Sequence, residues 1–278
     1  MMTSRTAFAN MTNLRGSRRR FLLACSALGA SMAAGRLAAA PASAGPADPA
    51  LVADLVAANH ILAMQEVVDG YGHVSVRHDR NPERFLISRS LAPESVTAED
   101  IVELDLDGNP VEGNTRKLYL ERFIHGAIYQ ARPDVKAVVH HHSAAVIPFS
   151  ITHVPIRPVY HMSAFLAAGV PVFEIREAAG MTDMLISTPA LGRALAATLG
   201  DKPATLMRGH GAVVVGASLQ EAVGRSVYLQ MNARLQQQAI ALGGDITYLD
   251  PQEAAKIGGL GGYDRAWELW KRKVAKRQ

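Results

Sequence analysis

The sequence predicts one mixed α/β domain over roughly residues 50–278, and three observations carry that reading. Apolar residues recur at helical spacing in several stretches. Short alternating or wholly apolar runs lie between those stretches, as strands do. No internal repeat and no Pro/Ser-rich linker divides the chain. With 49% hydrophobic and 19% charged residues the chain is too apolar for disorder, and it lacks the long apolar runs of a polytopic membrane protein.

The elements follow in order. Residues 50–68 read as an amphipathic helix, which Gly70 and Gly72 end. His73–Arg77 and Arg84–Ser88 alternate and suggest a hairpin across the polar turn His78–Glu83. Ile101–Leu106 is a third strand, turned by Asp107-Gly108-Asn109. Leu118–Arg132 reads as a helix that Pro133 stops. Val135–His140 and Val170–Ile175 are strands. Thr188-Pro189 caps a helix that runs to Leu199 and stops at Gly200. Ala204–Met207 and Ala212–Val215 are short apolar strands flanking Arg208-Gly209-His210-Gly211. Ser218-Leu219-Gln220-Glu221 has the form of a capping box for a long helix ending at Gly243-Gly244. From Tyr263 onward the chain reads as an amphipathic helix with a basic end.

Residues 1–44 are different in kind. They hold six arginines and no acidic residue. Removing those six leaves 23 Lys and Arg against 25 Asp and Glu, so the net charge of +4 becomes about −2 in the remainder. The basic character belongs to this leader, and a nucleic-acid partner is not expected. Ser17-Arg18-Arg19-Arg20-Phe21-Leu22 opens a mostly apolar stretch, and Ala42-Ser43-Ala44 has the small-x-small form of a cleavage site. The paired arginines resemble a twin-arginine export signal, which implies a periplasmic location with no stable membrane anchor. The alternatives are an uncleaved amphipathic N-terminus or a mis-set start, which would leave the protein in the cytoplasm. Cys25 is the one cysteine, and cleavage would leave a chain of residues 45–278 with no thiolate chemistry.

All ten histidines lie beyond the leader. Val138-Val139-His140-His141-His142 puts three at the end of an apolar strand. Side chains alternate along a strand, so His140 and His142 share a face, roughly 6–7 Å apart, and His141 takes the other. Such a pair either chelates a divalent ion or lies in a solvated loop. His210 sits between two glycines that let the backbone pass close to a site, either as a third ligand or as an ordinary turn residue. Glu121 and His125, four apart on the helix expected over 118–132, would share a face. Glu121 is then an acid/base beside a metal or an exposed charge. Three neutral imidazoles with an open position make a Lewis-acid site, and imidazole with carboxylate does not choose among zinc, manganese, iron and cobalt.

Together these residues resemble the class II aldolase/adducin family from about Val56 to Gly244. The resemblance rests on Gly72-His73-Val74-Ser75-Val76-Arg77, Glu121-Arg122-Phe123-Ile124-His125, Tyr129-Gln130-Ala131-Arg132-Pro133-Asp134, Val138-Val139-His140-His141-His142 and Gly209-His210-Gly211. It implies a three-layer α/β/α domain around a central, mainly antiparallel sheet. It implies one divalent ion per subunit on His140, His142 and His210, with Glu121 as the catalytic carboxylate. It also implies a ring-like homo-oligomer, a tetramer by preference, with active sites between subunits. The family's catalytic tyrosine falls near His161, whose neighbour is Tyr160.

Two departures bear on the substrate. Sugar-phosphate aldolases of the family carry Gly-Asn where this chain has Gly72-His73, and Thr-Pro-Thr-Gly where it has Ser88-Arg89-Ser90-Leu91. They also place two serines where this chain has Tyr119-Leu120. Hydroxyls and backbone donors are what a phosphate dianion needs, so a non-phosphorylated substrate is expected. Arg89, with Ser88 or Ser90, suggests a carboxylate instead, though a surface role in a Ser-rich loop is as good a reading of Arg89. His73, Ser88, Arg89 and Ser90 are the candidate substrate-binding residues. The chain looks more like the branch with decarboxylases of hydroxylated aromatic or pyridine dicarboxylates. The expected activity is that of a metal-dependent carbon–carbon lyase on a small carboxylate: a decarboxylase first, an aldolase second. A non-catalytic adducin-like scaffold is disfavoured because all three histidines are kept.

Overall fold

The computed structural model describes residues 45–111, 113–258 and 262–277. The export signal and cleavage site expected from the sequence lie outside the described residues. Asp48 accepts a hydrogen bond from the Ala50 amide and starts α1 (Pro49–Met64), with proline at the first helical position. The hairpin is β1 (His73–Arg77) and β2 (Arg84–Ser88), with Val76 opposite Leu86. Next come β3 (Ile101–Asp105), α2 (Arg122–Ala131), β4 (Ala137–His141) and a short α3 (Ile147–Ile151). A 3₁₀ stretch, His161–Ala168, precedes β5 (Val172–Phe173), α4 (Ile175–Ala179) and α5 (Pro189–Leu199). The chain closes with β6 (Ala204–Met207), β7 (Gly211–Gly216), α6 (Leu219–Leu242), α7 (Pro251–Gly258) and α8 (Asp264–Ala275).

Among the described residues, seven strands form one open sheet in the order β3-β2-β1-β4-β7-β6-β5. Of these pairings β5–β6 is parallel and the others are antiparallel. Alternation along the central strands splits the core in two. Val138, Val213 and Val215 meet Ile124, Ile128, Leu195 and Leu199 of α2 and α5. Val74, Val76 and Val139 point the other way, to Leu55, Ile61, Val223, Trp267 and Trp270 of α1, α6 and α8. Helices therefore cover both faces, which is the three-layer α/β/α arrangement of the class II aldolase type.

Three expected elements differ, the first being the helix expected over 50–68, which ends at Met64. The helix expected from Leu118 starts at Arg122, with Glu121 in the capping position at φ −89° and ψ 17°. Residues 118–120 are held outside the helix, because the Tyr119 hydroxyl donates to the Leu91 carbonyl at 2.6 Å. Glu121 and His125 therefore do not share a helix face. The strand expected over Val170–Ile175 shrinks to Val172–Phe173, an edge strand paired on one side only.

β1 also departs from what alternation suggests. His73, Ser75 and Arg77 occupy its polar face, yet all five residues of the strand are buried. That polar face packs under α2 rather than meeting water. Arg77 is satisfied there by carbonyls, donating to Val135 at 3.1 Å and Tyr129 at 2.7 Å, with its guanidinium 4.7 Å from the Tyr129 ring centre.

Candidate metal centre and its cavity

β4 ends with His140 on the α2 face of the sheet and His141 on the opposite face. His142, just past the strand, returns to the first face. The β6–β7 turn brings in His210, and its two glycines allow the approach. Gly209 has φ +63°, a left-handed conformation that glycine adopts freely, and a Cβ on Gly211 would run into the His141 carbonyl. Glu121 arrives from the start of α2.

Ligand atoms of Glu121, His140, His142 and His210 all lie within 4.8 Å of one another. Nε2 of His142 is 3.0 Å from Nε2 of both His140 and His210. Glu121 Oε2 is 3.4 Å from His140 Nε2 and 3.6 Å from His210 Nε2. Backbone carbonyls fix the tautomers. His140 Nδ1 lies 3.1 Å from the Ala212 carbonyl and His210 Nδ1 lies 3.1 Å from that of Met184. A carbonyl only accepts, so both Nδ1 atoms carry hydrogen and both Nε2 lone pairs aim inward. One proton can bridge a single pair of these nitrogens, whereas a cation at the centre is shared by all three and by the carboxylate. The donor set therefore fits a single divalent ion, with the Nδ1–carbonyl bonds orienting the ligands.

Residues 184–186 do much of the positioning, and nothing in the sequence reading singled them out. Met184 has φ +68°, unusual for a residue with a side chain, and offers its carbonyl to His210. Ile186 donates its amide to Glu121 Oε1 at 3.0 Å. Burial works against the Glu121 charge, but His140 and His210 outweigh it and hold the carboxyl far below its usual range. Burial, with His140 and His210 adding to it, lowers His142 to about 4.

Beside the cluster is a cavity of about 500 Å³, walled by Tyr71, His73, Ser90, Lys117, Tyr119, Leu185, Glu121 and His142 among others. The structure thus brings together Glu121, His140, His142 and His210 in the cluster, with His73 and Ser90 in the adjoining cavity wall. Ser88 and Arg89 are placed differently. Ser88 is buried, its hydroxyl 3.1 Å from that of Tyr119, and Arg89 Nε donates to Asp100 at 2.7 Å. Tyr160 and His161 are not brought to this cluster within one chain. The Tyr160 ring lies 6.0 Å from that of Tyr228 on α6, and His161 is exposed at the start of the 3₁₀ stretch.

A second group of polar side chains adjoins the cavity. His73 Nδ1 is 2.6 Å from His125 Nε2, and His125 Nδ1 is 2.6 Å from the Ser75 hydroxyl. That hydroxyl is 2.8 Å from the hydroxyl of Tyr129. Burial, reinforced by His140, lowers His125 to about 3, and burial raises Tyr129 well above its usual value. Ser75, His125 and Tyr129 were missed as site residues. Their signal was a polar strand face opposite an i, i+4 pair on a helix, which reads as solvent-facing until helix and strand are docked.

The fold, the three converging imidazoles and the neighbouring carboxylate define a class of protein: an α/β/α domain with a candidate mononuclear metal centre at the end of its central strand. The profile of the family described as Class II Aldolase and Adducin N-terminal domain matches residues 53–237, and the chain belongs to that family. It is similar to Decarboxylase tropJ of Talaromyces stipitatus, 39% identical over 240 residues that span 77% of this chain and 90% of that protein. It is similar to a 3,4-dihydroxyphthalate decarboxylase of Terrabacter sp., 32% identical over 83% of this chain and 97% of that one. Among solved structures, an aldolase II superfamily protein from Pseudomonas syringae superposes with a TM-score of 0.70 at 26% identity, covering 84% of this chain and 95% of that one.

Proposed function

We propose that this protein is a metal-dependent carbon–carbon lyase that decarboxylates a non-phosphorylated, hydroxylated carboxylate, an aromatic one by preference. The observation that carries this reading is the convergence of three imidazole Nε2 atoms, two of them oriented by carbonyls, and a carboxylate beside an open cavity. The names of the two relatives above support decarboxylation over aldol cleavage. The cavity walls support it too. Tyr71, Leu118, Tyr119 and Leu185 offer flat and aliphatic surface to a ring, with Ser90 and Lys117 to receive a carboxylate.

His140, His142 and His210 would hold the ion. When bound, it supplies Lewis acidity for the negative charge that builds up as the bond to carbon dioxide breaks. The departing carbon dioxide leaves its electron pair on the substrate carbon, and a proton must replace it. Glu121 is ionised, so it works by first taking a proton on Oε2, from a substrate hydroxyl, and then passing it to that carbon. The Ile186 amide keeps Oε1 occupied and Oε2 turned to the centre. Tyr160 and His161 are assigned to the site of a neighbouring subunit in a homo-oligomer, a tetramer by preference. Native mass measurement tests that assembly, and a monomer at working concentration would remove it.

The deciding experiment loads the purified protein in turn with zinc, manganese, iron and cobalt. Each form is then offered hydroxylated aromatic carboxylates and hydroxy-acids. Carbon dioxide release from a carboxylate is the expected result; aldehyde release would give the aldolase reading, and a protein with no affinity for any of these ions would end both. Export is a separate proposal resting on the leader. Replacing Arg18 and Arg19 together by Lys should retain the precursor in the cytoplasm, and a wild-type chain found only there, uncleaved, would overturn it. No helix among the described residues is long and apolar enough to cross a membrane.

A further inference from the structure

The buried chain His73–His125–Ser75–Tyr129 ends at the cavity. Tyr129 and Ser75 are 1% and 0% exposed, His125 is 0% exposed, and His73 is 4% exposed with its ring in the cavity wall. His73 Nδ1 is committed to His125, while Nε2 has no protein partner among the described residues and is not sealed from the cavity. Each link lies between 2.6 and 2.8 Å, so each must have one donor and one acceptor.

The direction of those donors is decided at the far end. The Tyr129 hydroxyl has the Ser75 hydroxyl as its hydrogen-bond partner, and the Arg77 guanidinium lies against its ring. A guanidinium is never an acceptor. The tyrosine proton therefore has one place to go, the Ser75 oxygen. Ser75 must then donate to His125 Nδ1, His125 Nε2–H donates to His73 Nδ1, and the remaining hydrogen of His73 stands on Nε2. Reversing the chain would leave the Tyr129 proton buried without an acceptor, which a buried hydroxyl avoids.

We propose that Tyr129, Ser75 and His125 are positioning residues that lock His73 in the Nε2–H tautomer, so that the cavity wall beside Glu121 presents a hydrogen-bond donor. His73 then receives an unprotonated substrate oxygen, a carboxylate or ionised hydroxyl, and disfavours a substrate offering a donor there. The consequence for turnover rests on the lyase reading; the tautomer does not. The ring centre of His73 is 5.1 Å from that of His140, which puts this donor next to the candidate metal centre.

The test is nitrogen-15 NMR of histidine-labelled full-length protein at pH 7.5, without metal and again with zinc, using His73→Gln to assign the signal. The wild type should show His73 protonated at Nε2 and bare at Nδ1. Ser75→Ala removes the donor to His125 and should give His73 a mixture of tautomers; Ser75→Thr keeps a hydroxyl and should restore the single form. A wild-type His73 carrying hydrogen at Nδ1, or an unchanged tautomer in Ser75→Ala, overturns the proposal. The wild-type spectrum decides it even where a variant fails to fold. In kinetics, His73→Gln and Tyr129→Phe should lower kcat more than they raise KM, the former by roughly 10²-fold as for loss of one well-placed donor. Spectra as expected in a protein with no lyase activity would discard the function and keep the tautomer.

Discussion

Two groups of histidines share one face of the sheet and use their nitrogens in opposite ways. In the first, His140, His142 and His210 turn lone pairs toward a common point, and carbonyls behind two of the rings enforce it. In the second, His73 and His125 alternate donor and acceptor along a line that ends in hydroxyls. Both groups are largely buried and lie within one ring contact of each other, so neither composition nor burial separates them. The difference lies in the partners of Nδ1. Nδ1 of His140 and of His210 rests on a carbonyl, which turns Nε2 to the candidate metal centre, whereas Nδ1 of His73 meets the His125 ring and Nδ1 of His125 meets the Ser75 hydroxyl.

Metal analysis should split the two groups most sharply. His140→Ala and His210→Ala should lose the ion almost completely, while Ser75→Ala and His141→Ala should keep it, His141 facing the other side of the sheet. Full retention in the first pair would dissolve the distinction. Next in size is Glu121→Gln, which keeps the shape but cannot pass a proton. Turnover should fall by roughly 10²–10⁴ with metal still bound. Near-wild-type turnover would remove Glu121 from the chemistry.

Acid should find the buried rings before anything else. His125 and His141 are each lowered to about 3 by burial, from an ordinary value of 6.5. Between these values the unfolded chain binds protons that the folded chain refuses, so stability falls as pH drops through that window. The loss for the metal-free protein should be on the order of a few kcal/mol. Denaturant unfolding at pH 7 and 5 measures it, and a flat profile would mean that these rings protonate without unfolding. The smallest effect is expected for Arg89→Ala. Its pair with Asp100 is partly exposed and worth about 0–1 kcal/mol to the fold. A several-fold rise in KM with little change in kcat is expected if the guanidinium leaves Asp100 for a substrate carboxylate. An unchanged KM would return Arg89 to that pair alone.

Much of this was legible in the sequence because it rests on local rules. The hairpin follows from alternation, α5 from Thr188-Pro189 and Gly200, and the facing of His140 away from His141 from the pleat. The unread parts depend on contacts distant in sequence. Residues 118–120 have helical spacing, but the Tyr119 bond to Leu91 pulls them into the cavity wall. Ser75 sits on a face that reads as wet until α2 closes over it. The helices at 147–151, 175–179 and 251–258 are too short to show a period.

Met184–Ile186 has a consequence for how this site tolerates change. One three-residue stretch fixes the tautomer of His210 through a carbonyl and the aim of Glu121 through an amide. The ligand and the carboxylate consequently cannot be adjusted separately from that side. A substitution that shifts Met184 should disturb metal affinity and proton transfer together, and its effect should fall well short of adding to that of Glu121→Gln. Such coupling makes the stretch between α4 and α5 the place where small errors cost two properties at once.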